Sequence, residues 1–166
     1  MTFTRILPAV LTLAAFTTAA AAYTNSQYGF TATAPKGWQQ VSYPGTAVVF
    51  TGPAAGGFAS NINVVVTKLP AGFTLGNYET QGREQLATLI TNYKFIGRRS
   101  LNVGGLPAFE QTFTGQQGKF NLYYIQTVAL KGGSAYVITG TALQSAKAGL
   151  PGAVGGLVKS FAFRKE

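Results

Sequence analysis

One stretch restricts the fold of this chain more than any other. From Lys119 to Leu130 the residues are apolar on both sides of an extended chain. Phe120, Leu122, Tyr124 and Val128 fall on one face; Tyr123, Ile125 and Ala129 fall on the other. A strand that must hide both faces belongs inside a sheet that is covered above and below. The surrounding segments supply the partners. Phe95–Val103 ends at the Gly104-Gly105 turn, Pro107–Thr114 ends at Gly115–Gly118, and Gly132-Gly133 connects Lys131 to Ser134–Leu143. Short glycine turns between adjacent strands specify an antiparallel meander.

Upstream, Tyr28–Ala34, Thr46–Thr51 and Asn61–Thr67 read as three further strands, rich in β-branched and aromatic residues. The period changes once. Leu75, Tyr78, Gly82, Leu86, Leu89, Ile90 and Tyr93 recur at helical spacing, which predicts an amphipathic helix from Leu75 to about Asn92 with Thr74 as its N-cap. Leu150, Val154, Leu157 and Val158 repeat that spacing, but Pro151 and several glycines interrupt it, so a short or broken helix is expected. Strands followed by separate helices define an α+β fold: a central antiparallel β-sheet sandwiched by helices.

The ordered set Tyr28-Gly29-Phe30, Ala34-Pro35-Lys36-Gly37-Trp38, Asn61-Ile62-Asn63-Val64-Val65, Leu75 and Tyr78 in a helix, Gly104-Gly105-Leu106-Pro107-Ala108, Ala135-Tyr136-Val137-Ile138-Thr139-Gly140 and Ser160-Phe161-Ala162-Phe163 resembles the PsbP/DcrB-like superfamily. The resemblance spans residues 23–166 and implies an α/β/α sandwich around an antiparallel sheet. It also implies a mostly non-catalytic accessory or binding role. Members include an extrinsic photosystem subunit, bacterial envelope proteins and a eukaryotic binder of a small GTPase. It carries no active-site motif, so no functional residue is transferred.

The first 22 residues read as a secretory signal peptide: Arg5 in a short n-region, an apolar run from Ile6 to Phe16, and small residues at Ala20 and Ala22. The clean apolar part is shorter than the roughly 20 residues of a spanning helix. The expected product is a single domain over residues 23–166, monomeric, without a transmembrane segment, and periplasmic or extracellular. Cysteine is absent, so neither a disulfide framework nor a lipid-modified cysteine is available.

Several chemistries are excluded by residue type. With no histidine, cysteine or aspartate, neither a Ser-His-Asp triad nor a Cys-His pair can form. Ordinary zinc sites fail for the same reason. No catalytic residue, cofactor or metal is expected. The acids are Glu79, Glu84, Glu110 and Glu166, and a glutamate-dependent wall hydrolase would need two of them to converge. Glu79 and Glu84 point about 140° apart on a helix; Glu79 and Arg83 form an i,i+4 pair instead.

Thirteen Lys and Arg against four acids give a net charge of +9, which suits an anionic partner and equally suits keeping a charge-poor domain in solution. Lys94, Ile96 and Arg98 fall on one face of their strand with Arg99 beside them, and Lys119 or Lys131 is the neighbour that would complete a cationic patch. The competing reading is an edge strand blunted by charge. The functional expectation is therefore a non-enzymatic exported domain acting through an unidentified protein or an anionic envelope component. Electrostatic attachment to anionic membrane or wall polymer is the alternative, and nucleic acid is not an expected partner of an exported chain.

Overall fold

The computed structural model describes residues 22–164; residues 1–21, nearly all of the expected leader, lie outside that range. A large sheet dominates. It is built from β3 (Gln39–Val41), β4 (Val48–Ala55), β5 (Phe58–Lys68), β6 (Thr91–Val103), β7 (Leu106–Gln117), β8 (Phe120–Lys131) and β9 (Ser134–Leu143). Every pairing is antiparallel, in the spatial order β3-β4-β5-β9-β8-β7-β6. The doubly apolar segment is β8, an interior strand between β9 and β7, as its sequence requires. A second, three-stranded sheet joins β1 (Ala22–Asn25), β2 (Phe30–Thr33) and β10 (Ala162–Phe163). Ala22, the last residue of the expected leader, pairs with Thr33 on β2.

Helix α1 (Leu75–Leu89) starts where predicted. The Thr74 hydroxyl accepts from the Asn77 N–H at 3.1 Å while Asn77 Oδ1 accepts from the Thr74 N–H at 3.0 Å, a capping box with Asn in the third position. It ends three residues early because β6 begins at Thr91. The interrupted second pattern resolves into a 3-10 segment, Gln144–Gly149, and helix α2 (Leu150–Ser160), with Pro151 in the first turn where its missing N–H is harmless.

The two helices take opposite faces. Leu150, Val154, Leu157 and Val158 of α2 join Ile62, Val64, Ile125, Ile138, Phe30 and Phe161 in the larger core. Gly140 on β9 permits this approach: a Cβ there would stand 2.3 Å from Val154 Cγ2. On the other face Tyr78 of α1 packs with Phe109, Val128, Ala135 and Val137, while Leu86 and Ile90 pack with Phe113, Leu122 and Tyr124. The expected sandwich is thus met in part. Among the described residues most of the chain is antiparallel sheet, each face has one helix, and the small sheet shares the α2 side. The strands β1 and β3 were not foreseen, because three or four residues are too few to display a period.

Candidate functional site: the β6 edge and the cationic turn

Strand β6 lies at the edge of the large sheet, bonded to β7 alone among the described residues. Its register breaks at Ile96: Phe95 pairs with Phe113 and Gly97 with Thr112, so Ile96 is an extra residue, a β-bulge. The bulge inverts the alternation that the sequence suggests. Lys94 and Arg99 lie on the α2 face, opposite Thr114 and Glu110; Arg98 lies on the α1 face, opposite Gln111. The expectation that Lys94, Ile96 and Arg98 share a face is corrected by that one inserted residue. The bulge also leaves Ile96 exposed beside Phe95, with Leu89 exposed at the end of α1.

Both arginines of β6 are engaged. Arg98 grips Glu79 on α1 through Nε and Nη2, each 3.1 Å from a carboxylate oxygen, and also donates to the Ser100 hydroxyl. Glu79 accepts from Arg83 as well, at 3.1 Å, and the Arg83 guanidinium stacks 4.1 Å from the centre of the Phe95 ring. Arg99 donates from Nε to Glu110 at 2.7 Å, and the Thr127 hydroxyl donates to the other Glu110 oxygen at 3.2 Å. Hydrogen bonding to Glu110, then its charge, pushes the Arg99 guanidinium above its ordinary value. The arginines therefore tie the edge strand to α1 and β7.

The remaining cations of the expected patch are placed apart. Lys119 sits in the β7–β8 turn and Lys131 at the opposite end of β8, with its ammonium 5.7 Å from the centre of the Phe163 ring. Strand spacing puts those ends about 40 Å apart. Lys94, by contrast, is in register with Thr114 and, through it, Tyr123, on the half of the sheet that ends at the Lys119 turn. Lys147 completes this group, its ammonium 4.8 Å from the Tyr123 ring centre. Sequence reasoning missed Lys147 because the 3-10 segment, not a periodic element, brings it there.

Charge is divided across the molecule. The described acids are Glu79, Glu84 and Glu110, all on α1 or β7, and the described ion pairs all belong to Arg83, Arg98 and Arg99. Lys119, Lys131, Lys147, Lys159 and Arg164 have no carboxylate within ion-pair distance among the described residues. No group of three or more metal-ligating side chains converges among those residues, and no helix there is long and apolar enough to cross a membrane.

The sequence matches the PsbP family over residues 18–163. The chain belongs to the PsbP family. Solved structures agree with that assignment at the level of the fold. CyanoP, the cyanobacterial PsbP of Synechocystis sp. PCC 6803, is 15% identical, with a TM-score of 0.63 over 86% of this chain and 91% of that one. LpqN of Mycobacterium tuberculosis, described as involved in cell envelope biogenesis, is 13% identical, with a TM-score of 0.67 over 87% of this chain and 90% of its own. The Ran-binding protein Mog1p of Saccharomyces cerevisiae is 10% identical, with a TM-score of 0.62 over 87% and 95%. A comparison with curated protein sequences gives no match.

Proposed function

We propose that this PsbP-family chain is an exported, non-catalytic accessory protein that binds a protein of the cell envelope along the β6 edge. The carrying observation is the exposure of Leu89, Phe95 and Ile96, at 59%, 40% and 56%, around an edge strand of 13 residues. Isolated exposed apolar residues need no explanation; three within eight residues of sequence, beside a strand edge with no partner among the described residues, support a docking surface. The leader-like first 22 residues support an exported location, and the fold shared with an envelope-biogenesis protein is consistent with it. A hydrolase reading has little support, because Glu79 and Glu110 are already bound to arginines.

Affinity capture from envelope extract, with wild type and the L89S/I96S variant side by side, tests this reading. The wild type is expected to retain a specific protein at both low and high salt, since apolar contact survives screening, and the variant is expected to lose it. Equal capture by both, or reproducible turnover of a wall or ester substrate abolished by E110Q, contradicts it.

A second reading has its own observation. The separation of the paired Arg83, Arg98 and Arg99 from cations that have no carboxylate partner among the described residues favours electrostatic contact between the surface bearing those cations and an anionic envelope polymer.

A further inference from the structure

A groove of ≈ 500 Å³ opens at the end of the large sheet where β7 turns into β8. The half-buried Phe120 and Leu143 give it an apolar side, while the exposed Lys119, Asn121, Gln144 and Ser145 give it a polar one. Three separate segments build it: the β4–β5 turn at Gly56, the start of β8, and the junction of β9 with the 3-10 segment. Its polar groups are uncommitted. The side chains of Lys119, Asn121 and Ser145 have no hydrogen-bond partner among the described residues, and Gln144 spends only its amide N–H, on Leu122 O at 3.4 Å. Phe58 braces the Phe120 ring from behind, with ring centres 5.4 Å apart, and the Lys119 ammonium lies 5.4 Å from the Phe120 centre. A cation is therefore held at an aromatic ring beside free amide and hydroxyl groups. Two residues beyond Ser145, Lys147 adds a second unpaired cation at Tyr123.

We infer that this groove binds one unit of an anionic saccharide chain, which continues past the 3-10 segment toward Lys147. The inference rests on the electrostatic reading above and names its site and ligand class. A sugar ring packs its C–H face on Phe120, its hydroxyls pair with Asn121, Gln144 and Ser145, and its carboxylate or phosphate meets Lys119. A lipid surface fits less well. The groove is concave with one polar side, and the exposed large apolar side chains among the described residues, Leu89, Phe95 and Ile96, belong to α1 and β6 instead.

The test is a binding titration of the protein, read by NMR shifts of its backbone amides, with a short oligogalacturonate as the anionic probe. A neutral malto-oligosaccharide, inorganic phosphate and phosphatidylglycerol vesicles are the comparison probes. Saturable shifts centred on Lys119, Asn121 and Ser145 are expected. K119A and the charge-neutral N121A should each weaken oligogalacturonate binding by about tenfold, while K36A, which removes the same charge elsewhere, leaves it nearly unchanged. Phosphate producing the same shifts at the same concentration shows an adventitious ion only and overturns the inference. Vesicle binding centred on these residues without oligogalacturonate binding overturns it in favour of a membrane. If oligogalacturonate binds but K119A, N121A and K36A weaken it equally, the groove is refuted and the general electrostatic reading stands. If no anionic probe binds, both fall.

Discussion

At the residue scale, Glu110 is the side chain with most at stake. It is 8% exposed, on the α2 face of β7, and its two oxygens are held by Arg99 and Thr127. Removing one partner of such a pair leaves the other uncompensated, which costs more than the pair itself contributes. The Arg99 side chain is 66% exposed, so solvent screening reduces the loss. Arg99→Ala should destabilise the fold by about 1–2 kcal/mol in urea unfolding. Adding Glu110→Gln to it should recover part of that loss, because the uncompensated charge is gone. A double variant less stable than Arg99→Ala alone would refute the role of that charge.

Two tyrosines give the fold an alkaline limit. Burial pushes the phenols of Tyr78 and Tyr124 up to about 12 from the usual 10. Below pH 10 each phenol is neutral in both folded and unfolded chains, and the stability is fully present. Above it the unfolded phenol ionises first, so stability falls between pH 10 and about 12. Each tyrosine accounts for about 1.4 kcal/mol of the fall by pH 11. Tyr124→Phe should match the wild type at pH 8 and exceed it by that amount at pH 11. Parallel decline of the two proteins would show that the phenol is not the cause.

At the element scale, a polar row crosses the α1 face of the sheet between its two apolar clusters. Arg98, Gln111, Gln126, Thr139 and Asn63 follow one another in register across β6, β7, β8, β9 and β5. Gln111 donates to Gln126 at 2.8 Å, and Gln126 to Thr139 at 3.3 Å. Above the row, the sheet-facing stripe of α1 runs Tyr78, Gly82, Leu86, placing its smallest residue between the two clusters. Gln126→Leu should destabilise by about 1–3 kcal/mol, since it leaves Gln111, 1% exposed, without its partner. The Gln111→Leu/Gln126→Leu pair should be nearly neutral, because both polar groups are then removed together. Additive loss in thermal or urea unfolding would contradict that coupling.

This scale also shows what the sequence could and could not reveal. Helix α1 and strands β6 to β9 were legible because each is long enough to repeat its period and is bounded by glycine turns or a cap. Strands β1 and β3 have no such signal. Neither has the continuation of β4 through Gly52-Pro53, which is irregular between Thr51 and Ala54 and lies under Trp38. The Ile96 bulge is the costliest omission for the site. One extra residue moves every later side chain to the other face, and nothing local marks it. Lys94, Arg98, Arg99, Lys119 and Lys131 were legible as cations; their true grouping, and the place of Lys147 in it, required the register and the 3-10 segment.

At the scale of the whole molecule, the chain separates two kinds of surface. Around α1, β6 and β7 the arginines and glutamates neutralise one another and leave the apolar group Leu89, Phe95 and Ile96 exposed. At the β7–β8 turn, on α2 and near β10 the cations have no acid within ion-pair distance among the described residues. The first surface suits contact that persists in salt, and the second suits contact that salt removes. The two proposed readings thus fall on different surfaces: a protein partner on the first, an anionic polymer on the second.

The central claim is that β6 is the docking edge. Its most direct test is site-specific photocrosslinking in the living envelope, with the photoreactive residue at Ile96 and, as control, at the exposed turn position Lys36. The account predicts one discrete protein adduct from position 96, lost when Leu89 is changed to Ser, and no such adduct from position 36. Identical adducts from both positions, or none from position 96, would contradict it.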